Sequence, residues 1–403
     1  MNVWSLSWRY LWSRPWLVLL NALLLSLGLA TVALVLLAQD QVQRAFERDL
    51  AGIDLVVGAK GSPLQLILAG VFHLDVPPGN VALADVQVLQ QHPQVAQWIP
   101  LSLGDNVAGF RIVGTTLAYP EHYGATLAQG QFWQQPMQAV LGAQVAAQTG
   151  WGPGQRFLGS HGLVAGGFEH PEAAYTVTGV LKPCGCVLDR LVLTATESVW
   201  QVHEDLHATD DSDAEDRAAL VAEREITLAL VRYSTPLAAI SLPRFINDRT
   251  GLQAAAPALE ITRLFSLLGV GVTVLQGLGV VLLAVAGLSV LVGFWAALRE
   301  RQHDLALLRL LGASPSKLAL LLLCEALWLA VIATGLGLLL AHGVLAALGV
   351  WLMAEQALPL TGWYWVPAEG WVPVLALGVA VLAAALPVWT VYRQDVVESL
   401  NSR

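Results

Sequence analysis

The chain has 403 residues, of which 56% are hydrophobic and 13% charged, and its mean hydropathy is +0.60. This composition is typical of a membrane protein and lacks the surface charge of a large soluble enzyme. The formal net charge of −9 excludes the basic footprint that phosphate binding requires, so nucleic acid is not an expected partner. Three cysteines are too few for a secreted disulfide scaffold.

Four predominantly apolar stretches are long enough to cross a bilayer, which takes roughly 20 residues. They are residues 16–38, 266–298, 318–352 and 371–392. Residues 39–263, between the first and second stretches, carry most of the acidic residues and have the composition of a soluble domain. We therefore predict an α-helical membrane protein with four transmembrane helices and a large extracytoplasmic α+β domain between helices 1 and 2.

The distribution of arginine and lysine predicts the orientation, because positive charge stays on the cytoplasmic side of a membrane. Arg9 and Arg14 precede the first stretch, and the 299–317 connection is basic. The short outer loop at 353–370 has neither lysine nor arginine. Both termini, including the tail at 393–403, are thus predicted to be cytoplasmic.

A repeating tryptophan marks the N-terminal residues 1–15. Trp4, Trp8, Trp12 and Trp16 recur every fourth residue and so fall along one face of a helix. This predicts an interfacial amphipathic helix that turns into the bilayer at Pro15. The competing interpretation is a simple extension of the first spanning helix.

The 39–263 segment alternates helix and strand signals, as an α+β domain should. Ser62 and Pro63 have the residue types of a helix cap and a first helical position. The predicted strands are 54–59, 95–101, 107–114, 139–142, 175–181, 190–194 and 226–233. The predicted helices are 64–74, 82–91, 143–149 and 236–247. Residues 203–216, which are strongly acidic, are predicted to form a mobile loop.

The sequence lacks a nucleotide-binding motif and has few ionisable residues in its spanning stretches, and both observations narrow the range of expected functions. The chain has no Gly-Lys dipeptide, so it cannot build a phosphate-binding loop of the Walker type and is not expected to be an ATPase or any other enzyme. Within the spanning stretches the ionisable candidates are Glu325 and His342, both expected near helix ends. A proton-coupled transporter is therefore disfavoured.

The most specific motif lies in the 299–317 connection. Residues 304–314 read DLALLRLLGAS, which resembles the EIAVLRALGAS-type signature of the FtsX/MacB family of ABC transporter permeases. The layout of four helices with a large domain after the first matches that family, and AVLGAQVA at 139–146 resembles a step in its outer domain. Residues 54–80 resemble a subgroup whose substrates are generally unassigned.

The 299–317 connection also reads as a short amphipathic helix. Leu305, Leu308 and Leu311 are expected on one face, and Gly312 should end the helix before Pro315. In the family this connection contacts a cytosolic ATPase subunit. The resemblance therefore implies that the coupling contacts are made by Arg301, Asp304, Leu305, Leu308, Arg309 and Gly312.

The resemblance implies the membrane subunit of a MacB-type ABC system, also termed type VII, in a bacterial inner membrane. The chain itself would bind no cofactor, whereas the partner ATPase would bind ATP and Mg²⁺. Two permease chains, as a homodimer, would join two ATPase subunits, and a periplasmic adaptor or lipoprotein is a further candidate partner. The alternative is an FtsX-like signalling scaffold that controls a periplasmic or cell-wall partner without transporting anything.

A metal site is the last hypothesis from the sequence. Thiolates and imidazoles suit zinc or copper, and Cys184, Cys186, His203 and His207 fall within one outer segment. Their spacing is irregular and contains no CxxC pair. A disulfide or ordinary loop thiols are the competing interpretation.

Overall fold

A computed structural model of the chain describes residues 3–161, 169–207, 221, 223–301, 307–354 and 360–393. The chain divides into two compact units. A helical unit comprises Met1–Gln43 and Leu267–Arg403, and an α+β unit comprises Arg44–Ser266.

The described helices and strands, numbered in chain order, are as follows. The helices are α1 (Val3–Leu11), α2 (Pro15–Leu50), α3 (Pro63–Gly70), α4 (Leu83–Gln90), α5 (Ala118–His122), α6 (Ala143–Thr149), α7 (Thr196–His207), α8 (Ala238–Arg249), α9 (Pro257–Glu300), α10 (Pro315–Ala354) and α11 (Trp371–Arg393). The strands are β1 (Leu55–Ala59), β2 (Val81–Ala82), β3 (Val95–Val107), β4 (Phe110–Thr115), β5 (Leu127–Gly130), β6 (Gln138–Leu141), β7 (Arg156–His161), β8 (Glu169–Leu181), β9 (Leu191–Ala195), β10 (Glu225–Ile226), β11 (Leu228–Tyr233) and β12 (Leu252–Ala255).

Among the described residues, four helical stretches are long and apolar enough to cross a membrane, as predicted. Their packed faces are rich in small and apolar side chains, which lets helix backbones approach closely where the hydrophobic effect cannot drive association. On α2 this face carries Ala22, Leu25, Leu29 and Ala33 at helical spacing, and on α11 it carries alanines. The apolar residues that recur at helical spacing in the sequence thus form the core of the helical unit.

Helices α2 and α9 are longer than the predicted spanning stretches. α2 continues beyond Ala38 to Leu50, because neither glycine nor proline occurs between Ala38 and Gly52, which adopts a φ of +80°. α9 begins at Pro257, where the fixed φ of proline suits the first turn of a helix. Apolar length therefore marks the membrane portion of each helix and not its ends.

The α+β unit is built on a mixed sheet of ten strands in the order β12-β1-β11-β3-β4-β9-β6-β8-β5, with β7 paired to β3 and β8. β4–β9 and β6–β8 are parallel, and the other pairs in this sheet are antiparallel. One hydrophobic cluster joins α4 and α8 to β1, β11 and β12, and another joins α6 to β4, β6, β8 and β9. A separate ribbon pairs β10 with β2.

Local signals located several elements correctly, and their errors have physical causes. Ser62 caps α3 by accepting a hydrogen bond from the Gln65 N–H, as its residue type predicts. The predicted strand at 107–114 begins too early, because β3 runs to Val107 and turns through Ala108 and Gly109, both at positive φ. The sequence did not predict β2, β5, β7, β12, α5 or α7.

The predicted acidic loop at 203–216 is partly wrong. Residues 203–207 form the last part of α7, while the rest of that loop lies outside the described residues.

Gly142 offers a test of the α+β unit, because it occupies a site with no space for a side chain. Its N–H donates to the Leu191 carbonyl over 2.9 Å, and an added Cβ would lie 2.1 Å from the Leu188 carbonyl oxygen. Gly142→Ala should therefore destabilise the full chain by about 1–3 kcal/mol. Gly152→Ala, which meets open space, is the control. Thermal unfolding measures both, and a Gly142→Ala chain that melts like wild type would refute the close approach.

Candidate functional site

The described part of the 299–317 connection forms a compact turn. Residues 307–310 are helical, and the turn closes through Gly312, whose φ is +93°. The Ala313 N–H donates to the Leu308 carbonyl over 2.9 Å, and the Gly312 N–H donates to the Arg309 carbonyl over 3.0 Å. Gly312 therefore ends the helix, as the sequence predicts, and α10 begins three residues later.

The leucines of this turn divide into an exposed group and a packed one. Leu307, Leu310 and Leu311 are 53%, 62% and 85% exposed. Leu308 instead packs against the cluster of Leu298, Leu318, Leu322 and Val391. The expectation that Leu308 and Leu311 share one face is wrong, because the helix ends before Leu311 and Leu308 turns toward the chain's own helices. Asp304 and Leu305 lie outside the described residues.

Arg301 anchors the start of the connection. Its guanidinium donates to Glu325 Oε1 over 3.2 Å and to the Tyr10 carbonyl over 2.7 Å, and it also donates to the Ser13 hydroxyl. The same group lies over the Tyr10 ring at 4.6 Å from its centroid. The side chains of Arg301 and Glu325 are 15% and 4% exposed. Arg301 therefore ties the connection to the α1–α2 turn and to α10.

Further contacts hold α1 and the α1–α2 turn at the same end of the helical unit. Arg14 forms an ion pair with Glu300, the last residue of α9. The Trp4 and Trp8 rings pack edge-on against the Trp328 ring of α10, with centroids 5.8 and 5.0 Å apart. These contacts place α1 against α10. α10 is the helix that directly follows the exposed leucines in the sequence.

A small cavity of about 40 Å³ lies beside the Arg301–Glu325 ion pair and is large enough for one or a few water molecules. Its polar lining comes from Tyr10, Arg14, Asn21, Arg301 and Glu325, and the rest of its lining is apolar. Hydration of the pair would lower the cost of holding two charges inside a helical bundle.

Sequence reasoning placed Arg301 among the partner contacts and missed its internal partners. Its guanidinium points to Glu325 and to the α1–α2 turn, whereas Arg309 is half-exposed. A usable signal existed, because Glu325 is an isolated acid in an apolar stretch and requires a cation. The backbone carbonyl of Tyr10 and the Ser13 hydroxyl carry no comparable signal.

His342 also has a partner that the sequence did not indicate. Its Nε2 lies 2.9 Å from Glu369 Oε2 and its Nδ1 lies 2.7 Å from the Gly362 carbonyl oxygen. Glu369 is fully buried and its other oxygen accepts from the Val366 N–H. This pair holds the 360–370 segment against α10.

The proposed metal ligands are only partly described. Cys184 and Cys186 are joined in a disulfide, so neither sulfur is available as a thiolate in this form. The side chains of His203 and His207 lie outside the described residues, although their backbone ends α7. No cluster of three metal-ligating side chains occurs in the described part of the chain. A zinc or copper site requires the reduced cysteines and stays a prediction.

The Arg301–Glu325 pair makes a quantitative prediction. Arg301→Met leaves a buried carboxylate without its cation, which should destabilise the chain by about 3–5 kcal/mol. The double variant Arg301→Met with Glu325→Leu removes both charges and should recover most of that loss. Thermal unfolding of the purified chain measures both variants.

The matched control is Arg263→Met, which breaks an exposed pair with Glu260. Loss of such a pair should cost less than about 1 kcal/mol. Equal losses in Arg301→Met and Arg263→Met would contradict the structural role of the buried pair.

Comparison with known structures gives two similar domains. The periplasmic region of MacB from Actinobacillus actinomycetemcomitans is 12% identical with a TM-score of 0.33, and the match covers 53% of this chain and 95% of that one. The extracellular domain of the noncanonic ABC-type transporter YknZ from Gram-positive bacteria is 12% identical with a TM-score of 0.31, and the match covers 50% and 98%. Comparison with curated proteins gives no match.

Two family descriptions match the sequence itself. Residues 18–249 match the MacB-like periplasmic core domain, and residues 277–396 match the FtsX-like permease C-terminal domain. The first match alone spans more than half of the 403 residues. The order of the two matches reproduces the architecture of a domain inserted after the first of four membrane helices. The chain therefore belongs to the FtsX/MacB family of ABC transporter permeases.

Proposed function

We propose that this chain is the membrane subunit through which a separate cytosolic ABC ATPase drives conformational change for export or extraction of a substrate. The observation that carries this proposal is the exposed leucine group of Leu307, Leu310 and Leu311. It belongs to the segment that resembles the family's ATPase-contacting connection.

The geometry of this group suits a partner groove. Leu307 and Leu310 are spaced at i and i+3 on the short helix, and Leu311 follows directly at its C-terminal end, which places the three apolar side chains close together. Each leucine that becomes fully buried contributes about 1.5–3 kcal/mol. Exposed leucines that only faced solvent would contribute nothing, so docking explains why the turn carries three.

The internal contacts of the same segment explain how docking would act on the helices. Leu308 packs on side chains from α9, α10 and α11, and Arg301 bonds to α10 and to the α1–α2 turn. A displacement of the 299–317 segment would therefore be passed to several helices of the unit at once. A flexible connection without these contacts would absorb the displacement.

The remaining parts of the proposal follow from charge and family membership. Two copies of the chain would form a homodimer with two ATPase subunits, and ATP and Mg²⁺ would be bound by those subunits. The termini would be cytoplasmic and the α+β unit periplasmic, in a bacterial inner membrane, because arginines flank the predicted cytoplasmic ends. A periplasmic adaptor or lipoprotein would be the partner of the α+β unit. The large size of that unit favours transport or extraction over an FtsX-like scaffold.

Docking is tested at Leu311, because its side chain is the most exposed of the three. Leu311→Asp should leave membrane insertion and melting temperature unchanged but weaken co-purification of the ATPase at least a hundredfold, since burying a carboxylate in an apolar groove costs a few kcal/mol. Ile240→Asp, which places the same charge on an exposed position of α8, should bind the ATPase like wild type. Undiminished ATPase binding by Leu311→Asp would exclude this docking face. Leu308→Asp is less informative, because Leu308 also packs internally.

Orientation is tested by thiol labelling in a Cys324→Ala background, which removes the free buried cysteine. Cysteines at Val88 and Trp363, which are 72% and 96% exposed, should react with an impermeant reagent added to intact spheroplasts. A cysteine at Ser314 should react only after lysis. Labelling at Ser314 in intact spheroplasts would reverse the proposed orientation.

A further inference from the structure

The C-terminal end of α2 is held inside the α+β unit by a group of histidine and tyrosine side chains. The Tyr123 hydroxyl donates to the Asp49 carbonyl over 2.8 Å. His122 is hydrogen-bonded to the backbone of Ala51, and its ring lies against Gly52. His122, the last residue of α5, and Tyr123, the next residue, therefore contact the C-terminal end of α2 and the two residues that follow it. We term these contacts, together with those of Tyr119 and His73, the α2 anchor.

His73 contacts the other members of the anchor through Tyr119. Its Nε2 lies 3.0 Å from the Tyr119 hydroxyl, and the Tyr119 ring packs edge-on against the Tyr123 ring. His73 and Tyr119 are both buried. The contacts thus run in sequence from His73 through Tyr119 and Tyr123 to the α2 backbone.

Both imidazoles of the anchor leave one ring nitrogen without a partner. Among the described residues, His73 Nδ1 and His122 Nε2 are buried and make no hydrogen bond. A neutral imidazole tolerates this, because one of its nitrogens carries no proton. A charged imidazolium carries a proton on both nitrogens, so its second N–H would be buried without an acceptor.

Positive charge surrounds both rings and makes protonation still less favourable. Arg190 donates to the carbonyl of Phe72, the residue before His73, over 2.7 Å, and Arg111 also faces His73. Arg232 faces His122. The acidic groups near the anchor, among the described residues, include Asp49, which faces Tyr119 and Arg190, Asp189, which faces Asp49, and Asp75, which faces Arg111. Burial, followed by Arg111 and Arg190, holds the pKa of His73 well below its usual range, and burial lowers the pKa of His122.

We propose that the α2 anchor is an acid-sensitive latch, which holds the end of α2 while His73 and His122 are neutral and loosens as the extracytoplasmic pH falls. The direction follows from proton binding. An imidazole released from the anchor regains a pKa of about 6.5 and binds a proton below that pH, whereas the buried imidazole does not. The anchored state is therefore fully stable above about pH 6.5 and loses stability as the pH falls below it.

The size of the effect follows from the same linkage. For each histidine, the ratio of released to anchored forms rises about tenfold per pH unit below about 6.5. Two histidines together give a rise of up to about thirtyfold between pH 6.5 and 5.5, and of up to about a hundredfold between pH 7.5 and 5.5. A small change in acidity would thus alter how often the end of α2 is free.

Hydrogen–deuterium exchange of the full chain in lipid nanodiscs tests the latch. Protection of amides in residues 44–52 and 118–123, corrected for intrinsic exchange rates, should fall between about tenfold and a hundredfold between pH 7.5 and 5.5. Strands β6 and β9 should keep their protection over this range. Unchanged protection at 44–52, or an equal loss in β6 and β9, would overturn the proposal.

Non-titrating variants assign the effect to the two imidazoles. His73→Asn suits the positive φ of +52° at this position, and His122→Gln keeps a hydrogen-bonding group. His122→Gln should leave the effect of about tenfold that His73 provides, His73→Asn should leave a smaller one because His122 is less buried, and the double variant should abolish it. A double variant with the full wild-type pH response would refute the latch. Should the double variant fail to fold, the wild-type and single-variant profiles still decide the question.

Two controls separate the imidazoles from other titrating groups. His92→Gln replaces a half-exposed histidine of the same unit and should respond like wild type. Asp49→Asn keeps an acceptor for the Val187 N–H, which donates to Asp49 Oδ1 over 3.1 Å. Burial raises the pKa of the Asp49 carboxyl to about 6, so this group binds a proton in the anchored state as the pH falls and opposes the histidines. The variant should therefore show a pH response equal to or larger than that of wild type. Loss of the pH response in Asp49→Asn would assign it to the carboxylate and overturn the proposal.

Discussion

A helical unit inside a bilayer has no water to satisfy its polar groups, and this constraint accounts for most of the contacts described above. Several of the described polar side chains in its interior are matched to partners in other parts of the chain. The Ser289 hydroxyl donates to Asn21, Arg301 meets Glu325, and His342 meets Glu369. Each pairing joins elements that are distant in sequence, so the polar groups also fix which helices are neighbours. Small side chains fill the remaining contacts.

The same constraint gives the 299–317 connection its two distinct sides. Arg301 and Leu308 are committed to the chain's own helices, because an unpaired guanidinium or an open apolar cluster would be costly there. The neighbouring leucines are left outside that packing. One side of the segment packs on the chain's own helices, and the other side exposes leucines. A partner that binds the leucines and moves would therefore move those helices as well. This division supports a coupling function more strongly than amphipathicity alone.

The α+β unit follows different rules, since its polar groups can reach water at the surface. Its interior nevertheless contains buried polar side chains whose charge state is set by their surroundings, as at His73 and Tyr119. Burial raises the pKa of Tyr119 and lowers that of His73, so both are neutral near neutral pH. A unit of this size could have used apolar residues at these positions. The use of titratable ones makes its hold on α2 dependent on acidity.

Sequence by itself determined the four helices, the inserted α+β unit and the location of the 299–317 connection, because each depends on local hydropathy, on residue periodicity or on a contiguous motif. It also determined the Ser62 cap and the Gly312 stop, which depend on one residue and its neighbours. Only the tertiary structure decided that Leu308 faces inward and Leu311 outward, because that depends on where a four-residue turn ends against α9, α10 and α11. The Tyr10 carbonyl that Arg301 contacts and the Tyr119 partner of His73 were likewise invisible in the sequence, since a backbone carbonyl or a tyrosine 46 positions away leaves no periodic signal. Contacts between distant segments arise from how the helices and sheet pack, and no local pattern encodes that packing.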